Sequence, residues 1–111
     1  RFAVTVLRLV APQMRRFPNA FGRVLSTLEF YLNPTKEIVI IGDSEEMKRE
    51  VWRDFIPSKV VVLAENAENA ELIPLLAERK LINEKATAYV CENFVCQQPV
   101  TSIEELKQQL F

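Results

Sequence analysis

Apolar residues in the first third of the chain recur at helical spacing. A helix is predicted over residues 2–11, with an apolar face formed by Phe2, Val6, Leu9 and Val10. Pro12 is expected to end or kink this helix, because proline lacks the backbone donor and clashes with the preceding turn. A second helix is predicted to begin at Pro18 and to stop at Asn33-Pro34. Its apolar stripe consists of Phe21, Val24, Leu25, Leu28 and Leu32.

The spacing then changes from helical to strand-like. Residues 37–41 (Glu-Ile-Val-Ile-Ile) and residues 59–63 are short β-branched runs, which are typical of buried strands. The segment between them starts with a turn at residues 42–44 and predicts a helix that ends before Pro57. One face of that helix carries Met47, Val51, Trp52 and Phe55, which are expected to lie in the core. A strand, about a dozen helical residues and a second strand form a βαβ unit, so the two strands should run parallel.

The last third of the chain predicts a hairpin and a closing helix. A polar loop is expected at residues 64–70, followed by a short helix at residues 72–76. Residues 87–91 and 94–97 are predicted to form the two strands of the hairpin. The final helix begins at a capping box formed by residues 102–105, Ser-Ile-Glu-Glu.

These elements define an α/β fold class in two parts. Residues 1–35 form a helical segment, and residues 36–111 form a small βαβ-α-ββα domain with a mixed sheet. The element order of the second part is similar to that of the thioredoxin fold, and such a likeness assigns no activity. A length of 111 residues, 49% of them hydrophobic, is enough for one domain with its own core.

The sequence carries no visible targeting or membrane segment. No apolar run approaches the roughly 18 residues needed to span a bilayer, and the N-terminus lacks the pattern of a signal peptide. A cytoplasmic location without a membrane partner is therefore expected. Because the chain lacks an initiator methionine and opens directly on a helical pattern, we expect it to be a piece of a longer chain.

Charge is distributed unevenly along the chain. Residues 1–28 contain no acid and five arginines, namely Arg1, Arg8, Arg15, Arg16 and Arg23, whereas the rest of the chain is net acidic. Such a basic segment could contact nucleic acid or form a solvated or docking face. The acidic remainder favours the second interpretation, so no nucleic-acid partner is expected.

The residue inventory excludes much catalytic chemistry. The chain has no histidine, so neither a Ser-His-Asp nor a Cys-His pair can form within it. Two thiols are too few for a usual zinc site, and no metal or cofactor is expected. A working thioredoxin needs a thiolate at the N-terminus of the helix after its first strand, but Asp43 and Ser44 stand there. The single Gly42 before them predicts a helix cap rather than an anion site, because acidic residues crowd the turn. Asp43 and Glu46, three residues apart, are expected to form a variant of the capping box.

Cys91 and Cys96 are the candidate redox pair. A hairpin that turns at Asn93-Phe94 places them directly opposite each other in a non-hydrogen-bonded pair, with Cβ atoms within about 6 Å. Tyr89 should share their face of the sheet, because the side-chain period of a strand is two. A disulfide is then sterically possible. The other interpretation is two reduced, packed thiols, which a cytosolic location favours.

Several stretches together resemble one known family. They are residues 17–32, residues 37–43 (EIVIIGD), residues 72–76 (LIPLL) and above all residues 86–110 (ATAYVCENFVCQQPVTSIEELKQQL). These stretches resemble the C-terminal end of the thioredoxin-domain-containing proteins typified by the spermatogenesis-associated thioredoxin-like protein. The spacing Cys-x4-Cys followed by Gln-x-Pro is the most specific part of the likeness.

The resemblance implies a larger parent protein. Such a parent has an N-terminal thioredoxin-like domain and a central α/α barrel similar to sugar epimerases and six-hairpin glycosidases. Residues 1–35 would then be late helices of the barrel region, and residues 36–111 a small C-terminal α/β domain. The chain itself would be a non-catalytic structural or docking domain, whereas the parent could be a thioredoxin-like or carbohydrate-active protein.

Two further expectations follow for partners and function. The helix at residues 2–11 is apolar around more than one face, so an exposed apolar patch or self-association through residues 2–32 is expected beside docking on the parent's barrel. The alternative function is a redox-responsive thiol module that uses Cys91 and Cys96.

Overall fold

A computed structural model describes all 111 residues of the chain. The residues fall into two units, Arg1–Pro34 and Thr35–Phe111. No helix in either unit combines the length and apolar character needed to cross a membrane.

The first unit consists of two helices joined by a short turn. Helix α1 spans Phe2–Arg16, and helix α2 spans Gly22–Leu32 after a 3-10 turn at Pro18–Phe21. The prediction that the second helix begins at Pro18 is confirmed, although its first turn is a 3-10 turn. The predicted end of the first helix at residue 11 is wrong, because α1 continues through Pro12. A proline removes only one bond of the helical ladder, and Met14, which lies beyond it, is buried.

The second unit is a four-stranded sheet with two α-helices, which confirms the α/β class. The strands are β1 (Lys36–Ile41), β2 (Lys59–Ala64), β3 (Thr87–Glu92) and β4 (Val95–Cys96). Helix α3 spans Glu45–Arg53, and helix α4 spans Ile103–Leu110 with Ser102 as its N-cap. The helix predicted at residues 72–76 is only a 3-10 turn at Pro74–Leu76, so a thioredoxin-fold-like element order is not confirmed.

The sheet has the strand order β2-β1-β3-β4. Strand β1 pairs with β2 in parallel, as the βαβ pattern predicts, and with β3 in antiparallel orientation. Strand β4 pairs only with β3 and forms one edge of the sheet. The mixed sheet expected from the sequence is therefore present.

The two faces of the sheet are covered by different kinds of structure. On one face, Ile38 and Ile40 of β1 pack against side chains of both helices, namely Met47, Val51, Leu106 and Leu110. On the other face, Val39 and Ile41 pack against Leu76 and other side chains of the irregular segment at residues 65–86. Both α-helices of this unit, α3 and α4, pack on the first face, so the irregular segment at residues 65–86 shields the second face from solvent.

Two aromatic residues predicted to lie in the core are exposed instead. Trp52 is 61% exposed and Phe55 is 88% exposed. Successive helical residues are rotated by roughly 100°, so Trp52 points away from the face that buries Val51, and α3 ends before Phe55. The Trp52 ring packs instead against Lys59, whose Nζ lies 4.2 Å from the ring centroid. Partial burial lowers the pKa of Lys59.

Replacing Gly42 with alanine is expected to destabilise the second unit. Gly42 has a φ of +94°, and an added Cβ would lie 2.8 Å from Leu81 Cδ2 and 3.0 Å from Ala86 Cα. Gly42→Ala should therefore lower the free energy of unfolding by about 1–3 kcal/mol. Urea unfolding followed by circular dichroism measures this change. The control is Gly22→Ala, because nothing lies within 4 Å of its added Cβ. Equal stability of Gly42→Ala and the wild type would contradict the expectation.

Candidate functional site

The hairpin formed by β3 and β4 pairs the two cysteines across the strands. Asn93 and Phe94 have φ angles of 52° and 65°, which is the pattern of a two-residue type I′ turn. Cys91 lies opposite Cys96, with Cα atoms 3.9 Å apart. The Gln97 amide donates to the carbonyl one residue before Cys91 over 2.9 Å, so the cysteines form a non-hydrogen-bonded pair. The predicted hairpin register is confirmed.

The two cysteine sulfur atoms are joined in a disulfide bond. Their surroundings differ, because Cys91 is only 2% exposed whereas Cys96 lies exposed on the edge strand. One sulfur therefore belongs to the packed face of the sheet, and the other is open to solvent. The reduced state expected for these thiols in a cytosol stays a prediction.

A guanidinium group lies against both sulfur atoms. Arg79 Nη2 is 3.4 Å from Cys91 Sγ and 3.2 Å from Cys96 Sγ. Sulfur in a disulfide is a weak acceptor, so these contacts contribute little in the oxidised state. A thiolate in the same position would form a charge-assisted contact, which is stronger. Arg79 would therefore stabilise a negatively charged sulfur at this site more than it stabilises the disulfide.

Arg79 is held in place by several contacts besides the sulfurs. Its Nε donates to the Leu75 carbonyl over 3.4 Å, and its backbone amide donates to the Leu76 carbonyl over 3.1 Å. Its guanidinium carbon lies 4.8 Å from the centroid of the Tyr89 ring, a cation–π distance. The Tyr89 hydroxyl in turn donates to the Lys80 carbonyl over 2.7 Å and accepts from the Lys80 amide over 3.1 Å. The strand thus fixes the segment that carries the guanidinium.

Three of the four residues at this site are predictable from the sequence. The hairpin pattern predicts that Cys91 and Cys96 face each other and that Tyr89 shares the face of Cys91, and the structure places these residues so. The fourth residue, Arg79, is not predicted. The irregular segment at residues 65–86 has no hydrophobic period from which a contact with the sheet could be read, so no signal in the sequence points to this arginine.

The turn at Gly42 forms a helix cap, as predicted, but with a different capping residue. Asp43 and Glu46 were expected to form a capping box, whereas Ser44 is the N-cap and its hydroxyl accepts from the Met47 amide over 3.2 Å. Asp43 instead pairs with Lys48 Nζ over 3.1 Å. Glu45 lies 2.8 Å from the same ammonium group, and hydrogen bonds to Glu45 and then to Asp43 raise the pKa of Lys48. Carboxylates therefore occupy the positions that an anion would need.

The remaining charged groups include the arginines of the first unit and the carboxylates of the whole chain. All five arginines of residues 1–28 are exposed, and none of them makes an ion pair. The structure has no cluster of three or more His, Cys, Asp or Glu side chains that could hold a metal ion.

Comparison with known proteins finds relatives that are much longer than this chain. The chain is 33% identical to human spermatogenesis-associated protein 20 in an alignment 115 positions long, which covers 96% of this chain and 15% of that protein. It is 30% identical to the mouse and rat proteins of the same name over the same shares. No family model and no solved structure matches the chain. The chain spans about 15% of the length of the curated relatives it matches. This coverage fits a chain that corresponds to one domain of a larger protein.

Replacing Phe94 with glycine is expected to stabilise the hairpin. A bulky residue with φ of +65° is strained, whereas glycine adopts this conformation freely. The Phe94 side chain is 98% exposed, so its loss removes little packing. Phe94→Gly should therefore raise the free energy of unfolding by about 0.5–1 kcal/mol in urea denaturation. Phe94→Ala is the matched control, since it removes the ring but keeps the strained backbone. A gain as large in Phe94→Ala as in Phe94→Gly would contradict the backbone explanation.

Proposed function

We propose that this chain is a non-catalytic C-terminal structural domain that docks on the rest of a longer parent protein. In this proposal the docking surface lies on residues 1–34, and residues 35–111 form a stably folded α/β unit. The occupant of the docking surface is the helical α/α barrel region that the family resemblance implies. A cytoplasmic location also belongs to the proposal: the single Cys91–Cys96 bond is fewer than the disulfide framework of a small secreted domain contains.

The observation that carries this proposal is the exposed apolar surface of α1 and α2. Phe2 is 89% exposed and Leu9 is 70% exposed, and several other large apolar side chains of this unit are exposed with them: Val6, Phe17, Leu25, Phe30, Tyr31 and Leu32. A surface helix of a globular domain has one apolar stripe, and that stripe faces the core of the domain. The apolar side chains named here are exposed instead. Large exposed apolar patches mark interaction sites. This surface therefore supports a role in packing against another body.

A groove between the two helices defines the chemistry of the occupant. It measures about 550 Å³, and its apolar lining includes Leu7, Ala11, Met14, Leu25 and Leu28. Arg8 and Arg15 also line it. A partner surface with apolar side chains and acidic neighbours would match both features. The relatives are long enough to contain such a partner within the same chain, because this chain spans 15% of their length.

Introducing a charge on the exposed apolar surface is expected to weaken association. Leu9→Asp should lower the self-association of the isolated chain, because it places a carboxylate where apolar surface would be buried. Sedimentation velocity over a concentration series measures this, and an increase of about tenfold in the dissociation constant is expected. The same substitution in a longer parent should release the helices from the remainder of the protein.

The matched control is Asn69→Asp, which adds the same charge at an exposed polar position of the other unit, outside α1 and α2. This control should associate like the wild type. A strictly monomeric wild-type chain, combined with a longer parent whose stability Leu9→Asp leaves unchanged, would contradict the docking proposal.

A second candidate function is a redox-responsive thiol module. The specific observation in its favour is Arg79, whose guanidinium contacts both Cys91 and Cys96. Redox-sensitive cysteines sit beside positive charge and are partly exposed, and this pair meets both conditions. The two functions are compatible, because the disulfide and the helical docking surface belong to different units.

A further inference from the structure

We propose that Cys91–Cys96 is a thiol–disulfide exchange site with a fixed polarity. An incoming low-molecular-weight thiol attacks Cys96, Cys91 leaves as a thiolate, and Arg79 is the positioning residue that holds this thiolate. The inference rests on the second candidate function above, and it adds the attacked sulfur, the leaving sulfur and the group that stabilises it.

The polarity follows from the different exposure of the two cysteines. Exchange requires an attacking thiolate to approach one sulfur from the side opposite the other sulfur. Cys96 lies exposed on the two-residue edge strand β4, so a small thiol can reach it. Cys91 is 2% exposed in the adjacent strand, so direct attack on its sulfur is blocked by packing. The attacked atom is therefore Cys96 Sγ.

Arg79 favours departure of the buried sulfur. A leaving thiolate on Cys91, which is 2% exposed, would lie 3.4 Å from Arg79 Nη2, and opposite charges attract more strongly where water is excluded. Glu37 lies opposite Cys91 in the pairing of β1 with β3, and its charge would oppose a negative sulfur, so the thiolate needs this positive neighbour. Arg79 Nη2 also lies 3.2 Å from Cys96 Sγ, so the different exposure of the two cysteines sets the polarity and Arg79 stabilises the thiolate that forms.

The exchange balances as two successive displacements. In the first, the thiolate RS⁻ forms a bond to Cys96 Sγ, the Cys91–Cys96 bond breaks, and Cys91 Sγ takes the electron pair. In the second, another RS⁻ attacks the thiol-derived sulfur on Cys96, which releases RSSR and a Cys96 thiolate. The protons lost by the two thiols return to Cys91 and Cys96. Two electrons pass from two equivalents of RSH to the protein disulfide.

The experiment measures where glutathione is attached and how fast the disulfide opens. The whole chain is treated with reduced glutathione, quenched with acid at intervals and mapped by tandem mass spectrometry. The mixed disulfide is expected on Cys96.

Arg79→Met should slow loss of the disulfide about tenfold, because the leaving thiolate loses its positive neighbour. Arg79→Lys should restore part of the rate. Arg53→Met is the matched control, since Arg53 forms ion pairs with Glu50 and Asp54 and has no hydrogen bond to either sulfur.

A second readout separates a charge effect from a loss of structure. In Cys96→Ser, Cys91 is a single thiol, and its ultraviolet thiolate absorbance can be followed against pH. Adding Arg79→Met should move the midpoint of this titration upward by about one pH unit. An unchanged midpoint would overturn the role of Arg79, whatever the stability of the variant.

The outcomes distinguish this inference from the function on which it rests. If glutathione does not open the wild-type disulfide, the redox-responsive function fails and the inference fails with it. If the disulfide opens but the adduct lies on Cys91, the redox response stands and the proposed polarity is wrong. If the disulfide opens and Arg79→Met reacts at the wild-type rate, the redox response stands and the proposed role of Arg79 is wrong. An adduct on Cys96 together with a slow Arg79→Met variant supports both.

Discussion

Strand β1 is buried on both of its faces, and the α/β unit is organised around this burial. Residues 38–41 are no more than 1% exposed, and they lie between β2 on one side and β3 on the other. A strand in this position must be apolar at consecutive positions, which the Ile-Val-Ile-Ile run provides. If β1 shifted by one residue along its neighbours, each of its side chains would point to the opposite face of the sheet. Ile38 and Ile40 would then lose their contacts with the helices, and Val39 and Ile41 would lose theirs with the irregular segment. The register of β3 against β1 is therefore strongly specified.

The candidate redox site is a consequence of that register. Val39 lies opposite Tyr89 and Glu37 lies opposite Cys91, so Tyr89 and Cys91 face the layer that carries no α-helix. That layer is covered by an irregular segment, which Tyr89 fixes through both backbone groups of Lys80. The preceding residue is Arg79, and its guanidinium reaches the two sulfurs from there.

The sequence predicts the parts of this structure that follow a period or a turn preference, and it does not predict contacts that irregular backbone makes. The β-branched runs predict both parallel strands, and the spacing of Cys91 and Cys96 around a two-residue turn predicts their pairing. Arg79 could not be placed, because its position depends on how a segment without periodicity packs against the sheet. Trp52 was misplaced because adjacent apolar residues compete for one helical face, and the side chain of Val51 takes it. The local effect of Pro12 predicts a helix end or a kink, but α1 continues for four more residues and buries the side chain of Met14.

The central claim is that the α/β unit is stable by itself and that the exposed apolar surface of α1 and α2 is covered by the rest of a longer parent protein. Hydrogen–deuterium exchange tests this claim most directly. The measurement compares the isolated chain with a longer parent that contains it. Amides of β1 and β3 should be protected in both, because their hydrogen bonds lie within a sheet buried on both faces. Amides of α1 and α2 should exchange rapidly in the isolated chain and slowly in the parent, because their exposed apolar side chains gain partners only there. Equal protection of residues 2–32 in the two proteins would contradict the account.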